Sequence, residues 1–251
     1  MIDEISFQNV DFGYDPRVLV LRNISFTLPH DRKLAIVGRT GAGKSTIVNL
    51  LARFYDPTAG RICVNGHDLR DIAISSLRKR LGIVLQDSFL FPLSVRENIR
   101  IGNQGASDEE IVQAARSVGA HQFITRLPRG YDFMIQESSS NISIGQRQLI
   151  SFARTLLSNP EILVLDEATS SVDPYTELVI QTALTKLLKN RMTLIVAHRL
   201  STIKLCDEIL VLENGQIVEK GSHNDLMEKE GLYSSFYKLQ FREETGLEGH
   251  P

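Results

Sequence analysis

Apolar residues fall along this chain in three rhythms, and each predicts a different element. Near the N-terminus they alternate. Ile5-Ser6-Phe7-Gln8-Asn9-Val10 and Asn23-Ile24-Ser25-Phe26-Thr27-Leu28 each turn apolar side chains to one face, as half-buried strands do. Further on they run unbroken. Leu34-Ala35-Ile36-Val37, Ile162–Leu165 and Thr193–Ala197 have the composition of strands buried on both faces of a parallel sheet, and Glu208–Leu212 predicts one strand more. The third rhythm is helical. It covers Ser45–Phe54, 107–127, Gln146–Leu157, Thr176–Leu188 and, briefly, Ser201–Leu205.

Punctuation between these segments agrees with them. Asp56-Pro57-Thr58-Ala59-Gly60 is turn chemistry, Arg61–Val64 reads as a strand, and Asn65-Gly66 is a hairpin signal. Ser107-Asp108-Glu109-Glu110 supplies an N-cap and an acidic first turn for the helix that follows, and Pro128 and Gly130 stop it. Glu137–Asn141 is polar and serine-rich, hence a loop. Strands alternating with helices predict an α/β layer structure with a parallel sheet. Antiparallel-looking strands sit at the N-terminal end. The helix-rich block at 88–158 interrupts the sheet strands as an inserted subdomain. The sheet core then consists of 1–87 and 159–240, with 241–251 as a flexible tail, all within one domain spanning 1–251.

Composition narrows the class. Apolar residues make up 42% and charged residues 23%, so 251 residues can build a proper core. The net charge is −2 with no dense Lys/Arg stripe, which excludes nucleic acid as an expected partner. Cys63 and Cys206 are two scattered thiols, as in a reducing compartment. No apolar run approaches the ~18 residues of a membrane span, and Asp3 and Glu4 stand where a signal peptide would be basic. A cytoplasmic location is expected, with any membrane role coming through a partner or a further segment.

The chemistry begins after Val37. Gly38-Arg39-Thr40-Gly41-Ala42-Gly43-Lys44-Ser45, followed by Thr46, fits G-x-x-x-x-G-K-[ST] between a predicted strand and a predicted helix. Glycines let successive N–H groups turn inward as an anion nest, and the helix dipole points at the same place. Lys44 supplies a positive charge to the β- and γ-phosphates, and the Ser45 hydroxyl is a Mg²⁺ ligand. A chance match in a chain of this length arises about once in a hundred. Ile162–Leu165 runs into Asp166 and Glu167, beyond the carboxyl end of a strand where such sheets bind ligands. Asp166 would hold Mg²⁺ directly or through water, and Glu167 would polarise the attacking water as general base.

With these two motifs on the page, the chain resembles the ATP-binding cassette (ABC) ATPases over nearly its whole length. Gln86, in Gly82-Ile83-Val84-Leu85-Gln86-Asp87, is similar to the family's Q-loop. Ile142-Ser143-Ile144-Gly145-Gln146-Arg147-Gln148 is similar to the signature LSGGQRQ. Ala168-Thr169-Ser170-Ser171-Val172-Asp173 resembles the D-loop, His198 the switch histidine and Tyr14 the A-loop aromatic. Ser76-Leu77-Arg78 and Leu90-Phe91…Ser94-Val95-Arg96-Glu97-Asn98-Ile99 are of the exporter type, in which the ATPase is fused behind transmembrane helices; Met1 then stands at an excision point.

The resemblance implies a P-loop NTPase (RecA-like) core with a mostly parallel sheet, an N-terminal antiparallel β subdomain and an inserted α-helical subdomain. It implies ATP with Mg²⁺, a second such domain as a homo- or heterodimeric partner, transmembrane domains of a transporter, and a place at the cytoplasmic face of a membrane. Two domains would meet head to tail, each ATP lying between the P-loop of one and the signature of the other. Tyr14 would stack on adenine, Gln86 would touch Mg²⁺, His198 would contact the γ-phosphate, and Ser143, Ile144, Gly145 and Gln146 would face ATP across the interface, with the signature helix beginning near Gln146.

One departure stands out. Ile144 occupies a position where relatives carry glycine, and a β-branched residue resists φ > 0 and adds bulk near phosphate. The preceding Gln136-Glu137-Ser138-Ser139-Ser140-Asn141 lacks the glycines relatives often place there. The pattern suits a heterodimer in which this chain's own P-loop hydrolyses ATP and the site receiving Ile144 turns over slowly; a homodimer that tolerates Ile144 is the alternative. Other readings are an ATPase subunit of an importer or other non-fused ABC complex, a DNA-acting relative, which no heptad run supports, and a non-catalytic nucleotide sensor, against which Glu167 and His198 stand.

Overall fold

The computed structural model describes residues 1–15, 17–85, 88–137, 141–166, 173–197 and 200–245. The alternating N-terminal strands form an antiparallel sheet. It comprises β1 (Glu4–Phe12), β2 (Leu21–Pro29), β4 (Ala59–Val64) and β5 (His67–Asp68), in the order β2-β1-β4-β5. Alternation in β1 changes parity halfway. Ile5 and Phe7 are buried, then Val10 and Phe12, because the pairing with β2 shifts between Phe7 and Val10 and Asn9 adopts φ 50°. The extra residue returns the apolar set to the same face. Asn65-Gly66 closes the β4–β5 hairpin with positive φ at both residues, as expected.

The second sheet contains β3 (Lys33–Gly38), β6 (Leu81–Val84), β7 (Ile162–Asp166), β8 (Met192–Val196), β9 (Glu208–Glu213) and β10 (Gln216–Gly221), in the order β10-β9-β3-β8-β7-β6. Every pairing from β9 to β6 is parallel. β10 folds back antiparallel on β9 through Asn214-Gly215. Antiparallel pairing is therefore not confined to the N-terminal end, and the same dipeptide that announced the first hairpin makes the second.

The helices are α1 (Lys44–Leu51), α2 (Ile74–Arg80), α3 (Val95–Arg100), α4 (Asp108–Ser117), α5 (His121–Ile124), α6 (Ile144–Ser158), α7 (Pro174–Leu188), α8 (Leu200–Ile203), α9 (His223–Glu228) and α10 (Leu232–Thr245). The helix expected over 107–127 is two. Ser107 does cap it, in a reciprocal capping box with Glu110, but the chain turns at Gly119 (φ 76°) between α4 and α5. α10 continues through 241–245, the first residues of the stretch expected as a tail.

Both faces of the parallel sheet are buried, which explains its unbroken apolar runs. On one face Ala35, Val37, Leu163, Leu165, Ile195, Ile209 and Val211 join a core with Leu149, Ile150 and Phe152 of α6 and Ile180, Leu184 and Leu187 of α7. On the other, Leu34, Ile36, Ile162, Val164, Leu194 and Leu210 pack with Ile47, Val48 and Leu51 of α1 and with Ile5, Phe7 and Ile24 of the antiparallel sheet. Neighbouring residues of one strand thus serve opposite cores. Helices α3 to α6 all fall between β6 and β7 in the chain, the inserted helical block that the sequence predicts.

Candidate nucleotide site

Strand β3 ends at Gly38, and helix α1 begins at Lys44. The loop between them bends through left-handed backbone: Gly41 has φ 82° and Gly43, the N-cap of α1, has φ 103°. A Cβ on Gly41 would meet no heavy atom within 4 Å, so its positive φ rather than crowding favours glycine there. A Cβ on Gly43 would come within 2.6 Å of Leu21 Cδ2, which explains glycine at the cap. Arg39, Thr40, Gly41 and Ser45 are exposed; Ala42, Gly43, Lys44 and Thr46 are buried.

Lys44 is only 6% exposed. Its Nζ donates to the carbonyl oxygens of Gly38 at 2.7 Å and Arg39 at 3.1 Å, which holds the ammonium across the loop mouth. Burial pulls its pKa below the ordinary lysine range, and the negative charge of Asp166 opposes that shift. Asp166 is the last residue of β7. It pairs with Val196 of β8, which pairs with Ile36 of β3, so it stands on the row two residues short of Gly38. A buried cation, an acid at the end of a strand two places away and a glycine loop fit a phosphate chain with its Mg²⁺. Among the described residues no group of three or more His, Cys, Asp or Glu forms a metal cage. Mg²⁺ takes one or two protein oxygens and fills its shell from phosphates and water. Ser45 and Asp166 are the described candidates.

Tyr14 stands beside α1, 52% exposed. Its hydroxyl lies 3.3 Å from Thr46 Oγ1 and accepts from Asn49 Nδ2 at 3.0 Å. Gln86, Glu167, His198 and most of the D-loop segment lie outside the described residues. Asp173 does not: its carboxylate accepts from Thr176 N at 3.0 Å as the N-cap of α7, and the hydrogen bonds to Thr176 hold its carboxyl below the usual range.

The signature corrects two expectations. Helix α6 begins at Ile144, not near Gln146. Ser143 is its N-cap: Ser143 Oγ accepts from Gln146 N at 3.2 Å, and Gln146 Oε1 accepts from Ser143 N at 3.0 Å. Ile144 is therefore the first residue of a right-handed helix and is absent from the residues with positive φ, so the backbone objection to a β-branched residue fails there. What remains is bulk, since Ile144 is 46% exposed beside the buried Gly145.

A polar junction that the sequence pattern left unremarked ties this helix to the segment after β6. Arg154 of α6 donates to Asn98 O at 2.9 Å, Asn98 Oδ1 at 2.9 Å and Phe89 O at 3.1 Å. Asn98 is fully buried and also bonds the backbone of Phe91 in both directions. The capping box Ser94…Glu97 signals α3, but nothing local marks Asn98 as its buried hub.

A strand, a glycine loop, a buried lysine at a helix N-terminus and an acid two strands away define a P-loop nucleotide-binding domain. The comparisons with known proteins agree. Residues 21–170 match the family model described as ABC transporter. The ABC transporter ATP-binding protein YfiC of Bacillus subtilis is 51% identical over 94% of this chain and 39% of its own length. The ATP-dependent lipid A-core flippase of Syntrophus aciditrophicus is 50% identical over 96% of this chain and 40% of its own. A solved bacterial Atm1-family ABC exporter with ATP bound superposes with a TM-score of 0.89 at 45% identity, covering 95% of this chain and 42% of that one. The chain belongs to the ABC transporter family. It spans about two fifths of the length of these relatives.

Proposed function

We propose that this chain hydrolyses ATP to power an exporter, as one of two nucleotide-binding domains beneath transmembrane domains at the cytoplasmic face of a membrane. The observation that carries the reading is Lys44, buried and desolvated across the mouth of the glycine loop with Asp166 opposing its pKa shift. A phosphate chain would replace the two carbonyls as partners of the ammonium, and the N–H groups of the loop and of α1 would take its oxygens. Tyr14 would stack on the base. Mg²⁺, held by Ser45 and Asp166 with Gln86, would neutralise charge on the phosphates. Glu167 would accept the proton of the attacking water, and His198 would contact the γ-phosphate. The export direction is supported by the relatives' names and by the segment Leu90–Ile99. Among the described residues no helix is long and apolar enough to cross a membrane, so the translocation path belongs to other segments or subunits.

The helical block 88–158 is proposed to move as a unit that carries the signature to a partner's ATP. The N-terminus of α6, with Ser143 as cap, would face that γ-phosphate. The exposed Ile144 side chain stands at the same helix end, which supports the heterodimer reading: the ATP facing Ile144 turns over slowly, and the ATP on this chain's own P-loop turns over normally. An importer-type ATPase docked on separate membrane subunits is the other reading.

The test is Glu167→Gln with ATP and Mg²⁺, with molecular mass read in solution. Removing the base traps any closed pair. Dimers of this chain alone mean a homodimer that tolerates Ile144, and dimers formed only with a second kind of domain mean the asymmetric pair. A chain that binds no ATP at all overturns the whole reading.

A further inference from the structure

The Tyr14 ring is fixed from two directions. Its hydroxyl is tied to α1 by Thr46 and Asn49. Its ring meets two other rings almost perpendicularly, Phe12 at 5.0 Å and 84° and Tyr55 at 5.1 Å and 87°. Phe12 and Tyr55 also touch, at 5.6 Å, which closes a cluster of three aromatics. Phe12 is buried and ends β1, whereas Tyr55 is exposed and follows α1. The loop that carries Tyr14 is folded just as tightly. A Cβ on Gly13 would lie 2.1 Å from the Val18 carbonyl oxygen, and Val20 N donates back to Phe12 O at 2.7 Å.

A tyrosine on a surface loop normally samples several rotamers, and stacking a base on it loses that freedom. Here both ends of the ring are already held while about half of its surface stays open. From this geometry we infer that Asn49 and Tyr55 are positioning residues that pre-orient Tyr14 as the platform for the purine of ATP. The inference rests on the proposed ATP site and adds that base affinity is set by two side chains that need not touch the nucleotide. Asn49 fixes the hydroxyl end through a hydrogen bond, and Tyr55 fixes the ring through an edge contact. Neither contributes to the phosphate cradle.

The experiment compares two probes on this chain by calorimetry with Mg²⁺: ATP, and inorganic tripolyphosphate, which has no base. Asn49→Ala and Tyr55→Ala each weaken ATP binding about threefold to tenfold, the size of one aromatic or hydrogen-bond contact. Both leave tripolyphosphate binding unchanged. Tyr55→Phe keeps the ring and restores wild-type affinity. Tyr14→Phe removes the hydroxyl with both its Asn49 and Thr46 contacts, so it loses at least as much as Asn49→Ala, and adding Asn49→Ala to it changes nothing further. Equal loss of both probes, additive loss in the Tyr14→Phe, Asn49→Ala double variant, or a Tyr14→Ala chain with unaltered ATP affinity overturns the inference. A wild-type chain that binds neither probe instead removes the ATP site itself, a failure visible in the tripolyphosphate arm. Thermal midpoints of each variant separate misfolding from lost affinity.

Discussion

Lys44 Nζ donates to the carbonyl oxygen of Gly38, six residues back along the same loop, at 2.7 Å. The lysine therefore bridges the two ends of the glycine loop, with one foot on the last residue of β3 and the other at the start of α1. A charge that spans its own loop ties the end of β3 to the start of α1.

Replacing Lys44 by Met removes that charge without removing the buried stem. Loss of two charge-assisted hydrogen bonds, each worth about 1.5–3 kcal/mol, predicts at least a hundredfold weaker ATP binding by calorimetry. A pH series gives the sign. Because the folded-state pKa of Lys44 lies below the unfolded one, the unfolded chain binds more protons between the two values. Stability contributed at this site therefore rises with pH through that alkaline window, while ATP affinity falls through the same window as the ammonium is lost. The Met variant shows neither trend.

Ser143 and Ile144 separate stability from turnover. Ser143→Ala removes the capping box of α6 and lowers unfolding stability by about 1 kcal/mol, read from urea titration. Ile144→Gly sits in the first helical turn, lowers stability by about 0.5–1 kcal/mol, and removes the side chain at the helix end. If bulk limits the site that receives it, the Glu167→Gln, Ile144→Gly chain dimerises with ATP more readily than Glu167→Gln alone. Unchanged dimerisation assigns Ile144 no part in the asymmetry.

Arg154→Met tests the junction between α6 and the segment that carries Phe89 and Phe91. Three hydrogen bonds from a half-buried guanidinium are lost, and the carbonyls of Phe89 and Asn98 lose their donor. Unfolding stability falls by about 2–4 kcal/mol. Hydrogen exchange quickens first in α3 and in the 89–94 segment, and the P-loop amides keep their protection.

His223 and the buried Tyr233 join α9 to α10 through a hydrogen bond of 2.7 Å between Nδ1 and the phenol oxygen. Burial, and secondarily Lys204, lowers the His223 pKa below its ordinary value of about 6.5. Tyr237 packs on the same imidazole, and the Glu219 carboxylate accepts from the first two amides of α10. Neutral His223 is the folded form, so its contribution is fully present above the unfolded pKa and is lost as pH falls through the folded one. Exchange of the α10 amides therefore accelerates in mild acid, and His223→Gln flattens the dependence.

Much of this was legible because it is local. The P-loop, the Asn65-Gly66 turn and the Ser107 cap are short segments whose backbone conformation follows from residues within a few positions of each other. The unbroken apolar runs predicted strands buried on both faces, and the two cores bear that out. Helix α6 starts two residues earlier than its apolar rhythm indicates, because the Ser143-x-x-Gln146 capping box sets its first turn at Ile144. Tyr55 and Asn49 carry no local signal: their relation to Tyr14 exists only once α1 packs beside the end of β1.

The sequence by itself determined the chemistry, namely a phosphate loop, a strand that ends in acids, and a signature carrying Ile144. It did so because glycine torsions, caps and hydrophobic period are properties of neighbouring residues. Only the tertiary structure decided what meets what. Asp166 faces the charge of Lys44 because β8 lies between β3 and β7 and the parallel register sets their ends on neighbouring rows. Tyr14 is pinned because Tyr55, far along the chain, meets both it and Phe12. Strand order and ring contacts of this kind arise from the competition of all packings for the same buried surface, and no stretch of chain a few residues long contains that competition.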